Sequence, residues 1–290
     1  MYELYMIFDS ISAQFLELLP YWASGLIAGS LVSVYLSERI AGKMVGLASG
    51  KGKIPAIGAA AALGVISPLC MFGTIPVIAA FGRKGVPQHL LAAFMVSSVL
   101  LNPNLFLLGF VLGADIALMR LALALLCGIV SGALVLAFAR RDKPLFNFGK
   151  FEPQDKAKKT FFRDLLKAFR ITAPYLLIGI TITALLNRYM PPEWVSRMFG
   201  ARYGLGVLFA ASLSIPLYAC GGGIIPLIRA WLFAGMGTGE ALTFMLAGPA
   251  TKITNLSAVK MIFGAKNFAL YLVYVIGFAL LSGLILEVLV

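Results

Sequence analysis

The sequence predicts an all-α integral membrane protein composed of two inverted-topology repeats, each with three transmembrane helices and a broken re-entrant helical hairpin. Composition is the first observation: of 290 residues, 60% are apolar and 12% are charged, whereas about 25% of residues are charged in soluble domains. The second is a duplication: two similar segments, each with a cysteine among helix-breaking residues, lie 150 positions apart. Repeated halves with breaks at matching positions are typical of secondary transporters.

The duplicated segments interrupt two long apolar runs. The first reads SPLCMFGTIP over 67–76, and the second reads IPLYACGGGIIP over 215–226. A single offset aligns Cys70 with Cys220, together with the prolines and glycines that follow them. Because Pro and Gly weaken or break helices, both runs are predicted to bend at the same place.

Apolar runs divide the chain into predicted elements, at about 15–36, 54–81, 90–110, 116–139, 171–189, 205–234, 241–262 and 268–290. As one helix, the run at 54–81 would be about 42 Å long, which is long for one crossing of a core of about 30 Å and short for two. This run and its counterpart at 205–234 are therefore predicted to be hairpins of two half-helices. Eight straight transmembrane helices in two four-helix halves are the alternative. The run at 116–139, which contains Cys127, is predicted to be an uninterrupted helix.

Basic residues indicate which parts face the cytoplasm. The net charge is +12, and ten Lys or Arg residues lie in the hydrophilic segment 140–170. The others lie mostly in short loops beside apolar runs, as expected on the cytoplasmic side of a membrane. This distribution predicts a multi-pass protein of the cytoplasmic membrane rather than a nucleic-acid-binding protein. The predicted division is a first membrane repeat at 1–139, a cytoplasmic basic linker at 140–170 and a second membrane repeat at 171–290.

The hairpin topology gives each half an odd number of crossings, so the second copy is inverted relative to the first. The basic group between Arg39 and Lys53 then lies inside together with the linker, which favours this topology. The evidence against the hairpin topology is three basic residues that fall outside on either topology, namely Arg188, Arg197 and Arg202.

The breaks also supply the candidate binding groups. Non-helical backbone at membrane depth is tolerated only where protein or a water-filled cavity satisfies it, so two matched breaks favour a solute site over two simple kinks. Sulfur prefers soft centres, and Cys70 and Cys220 are predicted to contact a soft metalloid or other soft solute. The further candidates, from both segments and from the second break of each half, are Thr74, Pro76, Asn102, Gly221, Gly222, Gly223, Pro226, Thr251, Lys252 and Asn255. Lys252 could equally extend its ammonium group to the membrane surface.

Several function classes are disfavoured. No phosphate-binding loop of the Gly-x-x-x-x-Gly-Lys type occurs, and no general base lies near Cys220 in sequence, so an enzyme is not predicted. No cofactor is predicted, and Cys127, which has no matched partner, receives no role. A permease for another small sulfur-containing or anionic solute and a channel with Gly-rich tips remain alternatives. The expected partners are a small solute and membrane lipids, with a homo-oligomer left open.

The paired motifs resemble those of the ArsP-type predicted permease family. The resemblance lies in PLYACGGG at 216–223, IPL at 225–227 and GPATK at 248–252, with SPLC at 67–70 and GTIP at 73–76 as the first-half counterpart. It implies a cytoplasmic-membrane efflux permease for trivalent arsenicals, chiefly organic ones. It also implies that Cys70 and Cys220 are the residues that contact arsenic.

Overall fold

The computed structural model describes residues 52–67, 85–138, 192–199, 205–218, 224–251 and 253–289, and scattered positions elsewhere, including 74, 77–79, 81 and 82. In this part of the chain the regular secondary structure is helical. The helices are α1 (Lys53–Ile66), α2 (Gln88–Leu100), α3 (Pro103–Gly109), α4 (Ala114–Phe138), α5 (Pro192–Phe199), α6 (Leu205–Leu217), α7 (Ile225–Phe233), α8 (Thr238–Thr251) and α9 (Ile253–Leu289). A 3-10 turn, Phe110–Leu112, follows α3, and α9 is kinked at Gly264, where φ is 71°.

Three of the described helical stretches are long and apolar enough to cross a membrane: Gln88–Leu112, Ala114–Phe138 and Phe263–Val288. Lys53–Ile66 and Leu205–Ile215 are apolar but shorter. The prediction of an all-helical membrane protein is thus confirmed for the described residues. The number of crossings and the inverted repeat remain predictions, and the runs at 15–36 and 171–189 lie largely outside the described residues.

Small residues allow α1, α2 and α4 to pack very closely. A Cβ atom at Gly64 of α1 would lie 2.6 Å from the carbonyl oxygen of Phe94 on α2. On α4, a Cβ at Gly132 would lie 2.9 Å from the carbonyl oxygen of His89. Gly128 is packed in the same way, so α4 presents a Gly-x-x-x-Gly stripe to its neighbours, as is common where membrane helices approach.

The chain runs along α1 and then returns to run along α2 in the same direction. Ile57, early in α1, lies beside the same glycine as His89, early in α2, whereas Gly64 lies beside Ser97 near the end of α2. Helix α1 therefore runs in the same direction as α2. Thr74 returns to the end of α2, at Ser98, and the helical residues that follow it lead back to the start of α2.

The second half shows the same arrangement. A Cβ on Gly206, early in α6, would meet the carboxylate of Glu240 early in α8, and Tyr218 after α6 lies against Gly248 near the end of α8. Helix α6 thus runs alongside α8 in the same direction. Helix α7 then leads back to the start of α8 through a turn at Gly235.

Matching turns precede α2 and α8. Gly85 and Gly235 both have a positive φ, 82° and 101°, which glycine adopts without strain. Each turn has the two hydrogen bonds of a Schellman motif, from Gly85 N to Gly82 O, Val86 N to Phe81 O, Gly235 N to Leu232 O and Met236 N to Trp231 O. The aromatic contacts at these turns also match: Phe81–Phe94 and Trp231–Phe244 are both edge-to-face, with centroids 5.7 and 5.8 Å apart.

The second break is described in the first half only. There α2 ends at Leu100 and α3 starts at Pro103, as the Asn-Pro-Asn sequence predicts. In the second half, Pro249 lies inside α8, which continues to Thr251, and position 252 lies outside the described residues. Proline is accommodated there at the cost of a free carbonyl one turn earlier, on Met245.

The two halves are packed into each other rather than side by side. Leu108 of α3 is fully buried in a cluster that otherwise contains buried residues of the second half, such as Trp231 and Phe244. Conversely, Val259 and Phe263 of α9 belong to the cluster formed around α1, α2 and α4. Leu246, Ala247 and Ala250 of α8 belong to the same first-half cluster, so α3, α8 and α9 all take part in the contact between the halves.

We expect Gly64→Ala to lower the free energy of unfolding by about 2 kcal/mol, because the added methyl group would force α1 and α2 apart in a packed interior. Gly58→Ala on the same helix is the matched control, since its Cβ would meet nothing within 4 Å. Thermal unfolding of both variants in detergent measures the difference. Equal stability of the two variants would show that α1 and α2 are not closely packed.

Candidate functional site

The structure describes some of the predicted site residues and not others. Thr74, Asn102, Pro226 and Thr251 are described with their side chains, and Asn255 belongs to α9 by its backbone only. The remaining predicted residues lie outside the described residues, namely Cys70, Pro76, Cys220, Gly221, Gly222, Gly223 and Lys252.

Hydroxyl groups hold both ends of the first cysteine segment. Ser67, just before residues 68–73, and Thr74, just after them, each place a hydroxyl oxygen within 3.2 Å of the Ser98 hydroxyl. In a continuous helix, residues seven positions apart would be separated by about 10.5 Å along the axis. Ser98 of α2 therefore holds Ser67 and Thr74, the residues on either side of the segment 68–73 that contains Cys70, close together.

A rigid support lies directly beneath these contacts. The hydroxyl of Ser97 donates across to the carbonyl of Ala61 on α1, at 2.8 Å, and contacts the carbonyl of Ala93 in its own helix, at 2.9 Å. Ser67, Thr74, Ser97 and Ser98 are all at most 1% exposed. Buried hydroxyl groups with partners fix helix positions more strictly than apolar contacts do, so Ser67 and Thr74 are firmly placed.

The second cysteine segment leaves its helix at the equivalent point. Tyr218, which immediately precedes residues 219–223, packs its ring against Gly248. Gly248 is offset by 150 from Ser98, the residue that holds the first segment. Both segments therefore start beside the C-terminal ends of α2 and α8.

Asn102 and Thr251 have local structural partners in this structure. The Asn102 side chain accepts a hydrogen bond of 2.9 Å from Leu105 N and so caps α3. The Thr251 hydroxyl donates to Ala247 O in its own helix at 2.8 Å. Their predicted contact with solute is untested, while their role at the helix ends is visible.

Sequence reasoning missed Arg120. This residue lies in α4, in the run predicted to be an uninterrupted helix, and its side chain is 1% exposed. It donates to the carbonyl of Leu100, where α2 ends, and to the carbonyl of Met245, which Pro249 leaves free. Arg120 therefore joins helices of the two halves. The signal was present in the sequence, because an ionisable residue in an apolar span is functional by default.

Cys127 is a buried thiol, as predicted, and its lack of a site role remains a prediction. It is fully buried, and Tyr274 of α9 donates to its backbone carbonyl at 2.5 Å. This contact connects α4 with α9. Among the described residues, no group of three His, Cys, Asp or Glu side chains could hold a metal ion.

Apolar helices that are long enough to cross a membrane and that pack through small residues define an integral membrane protein. The chain matches the family model described as "Predicted permease", ArsP_1, over residues 2–288. This match covers nearly the whole chain, so the protein belongs to the ArsP_1 permease family.

Curated relatives are distant. The UPF0718 protein YcgR of Bacillus subtilis is 23% identical, with 98% of this chain and 97% of that protein covered. A Streptococcus mutans protein, provisionally named a two-component membrane permease complex subunit, is 25% identical over 87% of this chain and 85% of its own length. A UPF0718 protein of Methanocaldococcus jannaschii is 26% identical over 46% of this chain, and the match spans only 36% of that protein. No solved structure matches the chain.

We expect Ser98→Ala to make the segment 68–73, which contains Cys70, more accessible, because it removes the shared partner of Ser67 and Thr74. Loss of about 1 kcal/mol of hydrogen bonding corresponds to about a fivefold rise in opening of this segment. The rate at which Cys70 reacts with a maleimide, in a variant with Ser at positions 127 and 220, measures this opening.

The matched control is Ser131→Ala, since Ser131 donates only within its own helix, to Gly128 O. An unchanged reaction rate in Ser98→Ala would contradict the conclusion that Ser98 holds Ser67 and Thr74 together.

Proposed function

We propose that this protein is a secondary-transporter-like permease that exports a small soft solute from the cell, with trivalent organoarsenicals as the substrate. The two cysteine segments, one from each half, form a central site, and alternating access opens this site to each side of the cytoplasmic membrane in turn. The permease class follows from the family, whereas the substrate, the direction and the two-cysteine site are the proposal.

The observation that carries the proposal is the position of the first segment. Ser67 and Thr74, on either side of the segment that contains Cys70, both contact Ser98 near the end of α2. Tyr218, just before the second segment, lies against Gly248 at the offset-matched position of α8. A soft trivalent centre is the chemistry that thiolates favour. One thiolate from each half would bind such a centre and still allow release, since the two thiolates separate when the halves move.

The hairpin topology supports alternating access between inverted halves. Helix α1 runs with α2, and the return from Thr74 to Gly82 brings the chain back to the start of α2. Lys53, at the start of α1, is also within electrostatic range of His89 at the start of α2. Both ends of the predicted hairpin thus lie near the start of α2, which supports the proposed re-entrant element.

Substitution of the cysteines tests the site. Cys70→Ser and Cys220→Ser are each expected to abolish resistance to trivalent organoarsenicals in an arsenic-sensitive host, because the hydroxyl is a hard and weak ligand for arsenic. Cys127→Ser should leave resistance unchanged, since Cys127 is buried against Tyr274. Full resistance of a Cys220→Ser strain at normal protein abundance would reject the thiol site.

Sidedness of labelling tests the topology. We expect single cysteines introduced as Lys53→Cys and Lys84→Cys to react with an impermeant maleimide from the same, cytoplasmic side. Straight crossings would place the two positions on opposite sides, so labelling of Lys53→Cys from outside only would exclude the hairpin. Uptake into inverted vesicles separates a transporter from a channel: a coupled transporter concentrates the solute, whereas a channel only dissipates its gradient.

A further inference from the structure

We propose that Arg120 is an anion-binding group at the junction of the two halves, and that the solute is recognised there as a singly ionised oxyacid. The inference rests on the proposed function only in taking this junction as the transport site. It adds a charge requirement and a residue that neither the family nor the sequence motifs assign.

The first argument is the state of the buried guanidinium. Arg120 is 1% exposed, and its partners are two backbone carbonyl oxygens and the sulfur of Met245. All three are neutral. No carboxylate among the described residues lies within salt-bridge distance of it. A buried charge with only neutral partners is costly, so an anion at this position would be strongly favoured.

The second argument is that the guanidinium is incompletely bound. Its distances to the carbonyl oxygens of Leu100 and Met245 are 3.4 and 3.3 Å, longer than the 2.7–2.9 Å or so of charge-assisted hydrogen bonds. Its Nε atom is buried and has no acceptor. Because its present contacts are long, the guanidinium group of Arg120 still has N–H groups that can donate to a ligand.

The third argument comes from the other half. The carbonyl of Ala250, offset by 150 from that of Leu100, lies within 3.5 Å of the Tyr271 hydroxyl. A neutral phenol on the following helix thus occupies the place that Arg120 occupies in the first half. Because a neutral donor suffices to cap a free carbonyl, capping does not account for the positive charge at position 120.

A second unpartnered atom indicates the kind of anion. Asn104 Oδ1 is buried without a partner, and together with Arg120 Nε it is one of two such side-chain atoms found in the described residues. Asn104 lies in the first turn of α3, at the same break as Leu100. The proposal assigns both atoms to one ligand, in which an anionic oxygen accepts from Arg120 and a hydroxyl group donates to Asn104.

A singly ionised oxyacid carries both of these groups on one central atom. An ionised organoarsenous acid does so on a soft centre that the cysteines could also bind. A nearby guanidinium would favour its ionised form. Hydrogen phosphate and sulfate provide an arsenic-free pair of probes, since at neutral pH both are tetrahedral anions but only hydrogen phosphate has a hydroxyl group.

The experiment measures phosphate and sulfate binding to the full chain in lipid nanodiscs by calorimetry at constant ionic strength. We expect saturable binding to the wild type, with phosphate bound about fivefold more tightly than sulfate because of one additional hydrogen bond. Arg120→Gln should weaken phosphate binding by about tenfold or more. Tyr271→Phe, which removes the neutral cap without changing charge, should bind phosphate as the wild type does.

Arg120→Lys guards against loss of folding, since it keeps the charge and should fold and retain most of the affinity for phosphate. Absence of saturable binding to the wild type, or equal affinity in Arg120→Gln, would overturn the proposal. Equal affinity of the wild type for phosphate and sulfate would overturn the proposed recognition of a hydroxyl group on the anion.

Failure of the two proposals is distinguishable. Cys70→Ser should keep phosphate binding while it loses arsenical resistance. If anions bind as expected but the cysteine variants keep full resistance, the thiol site is wrong and the anion site stands. If the cysteine variants lose resistance but no anion binds, the anion site is wrong and the thiol site stands.

Discussion

The constraint on which this structure depends is that backbone polar groups at membrane depth need partners inside the protein. Each interruption of a helix leaves carbonyl or N–H groups without their usual partners. At the first break, Asn102 caps the start of α3 and Arg120 binds the carbonyl that ends α2. In the second half, Pro249 frees the carbonyl of Met245, and the same Arg120 binds it.

This shared partner gives the junction of the halves a particular character. The guanidinium group of Arg120 contacts the carbonyl of Leu100 in the first half and that of Met245 in the second. Close glycine packing of α1, α2 and α4 provides a firm base beneath these points, because backbone contacts leave little room for adjustment.

The duplication has a structural counterpart, although the two halves are not identical. Matching turns at Gly85 and Gly235, and matching edge-to-face aromatic pairs, repeat at the offset that the cysteines show. The differences lie near the ends of α2 and α8. Ser98 corresponds to Gly248, and Arg120 donates to a carbonyl in the first half where Tyr271 donates to the matching carbonyl in the second. The turns and aromatic contacts are thus the same in both halves, while polar side chains near the ends of α2 and α8 differ.

Composition and the apolar runs were enough to predict a helical membrane protein, and the Asn-Pro-Asn sequence was enough to predict the break between α2 and α3, because these depend on local chemistry. The family was predicted from the resemblance of the paired motifs. Proline and glycine act on their own turn of the helix wherever the chain folds. The partners of the freed groups could not be predicted in this way. That Ser67 and Thr74 meet at Ser98, and that Arg120 reaches carbonyls on two other helices, depends on which faces pack together, and apolar helices in a membrane allow many such packings of similar energy. Tertiary structure alone therefore decided that a charge overlooked in an apolar run stands at the junction of the two halves.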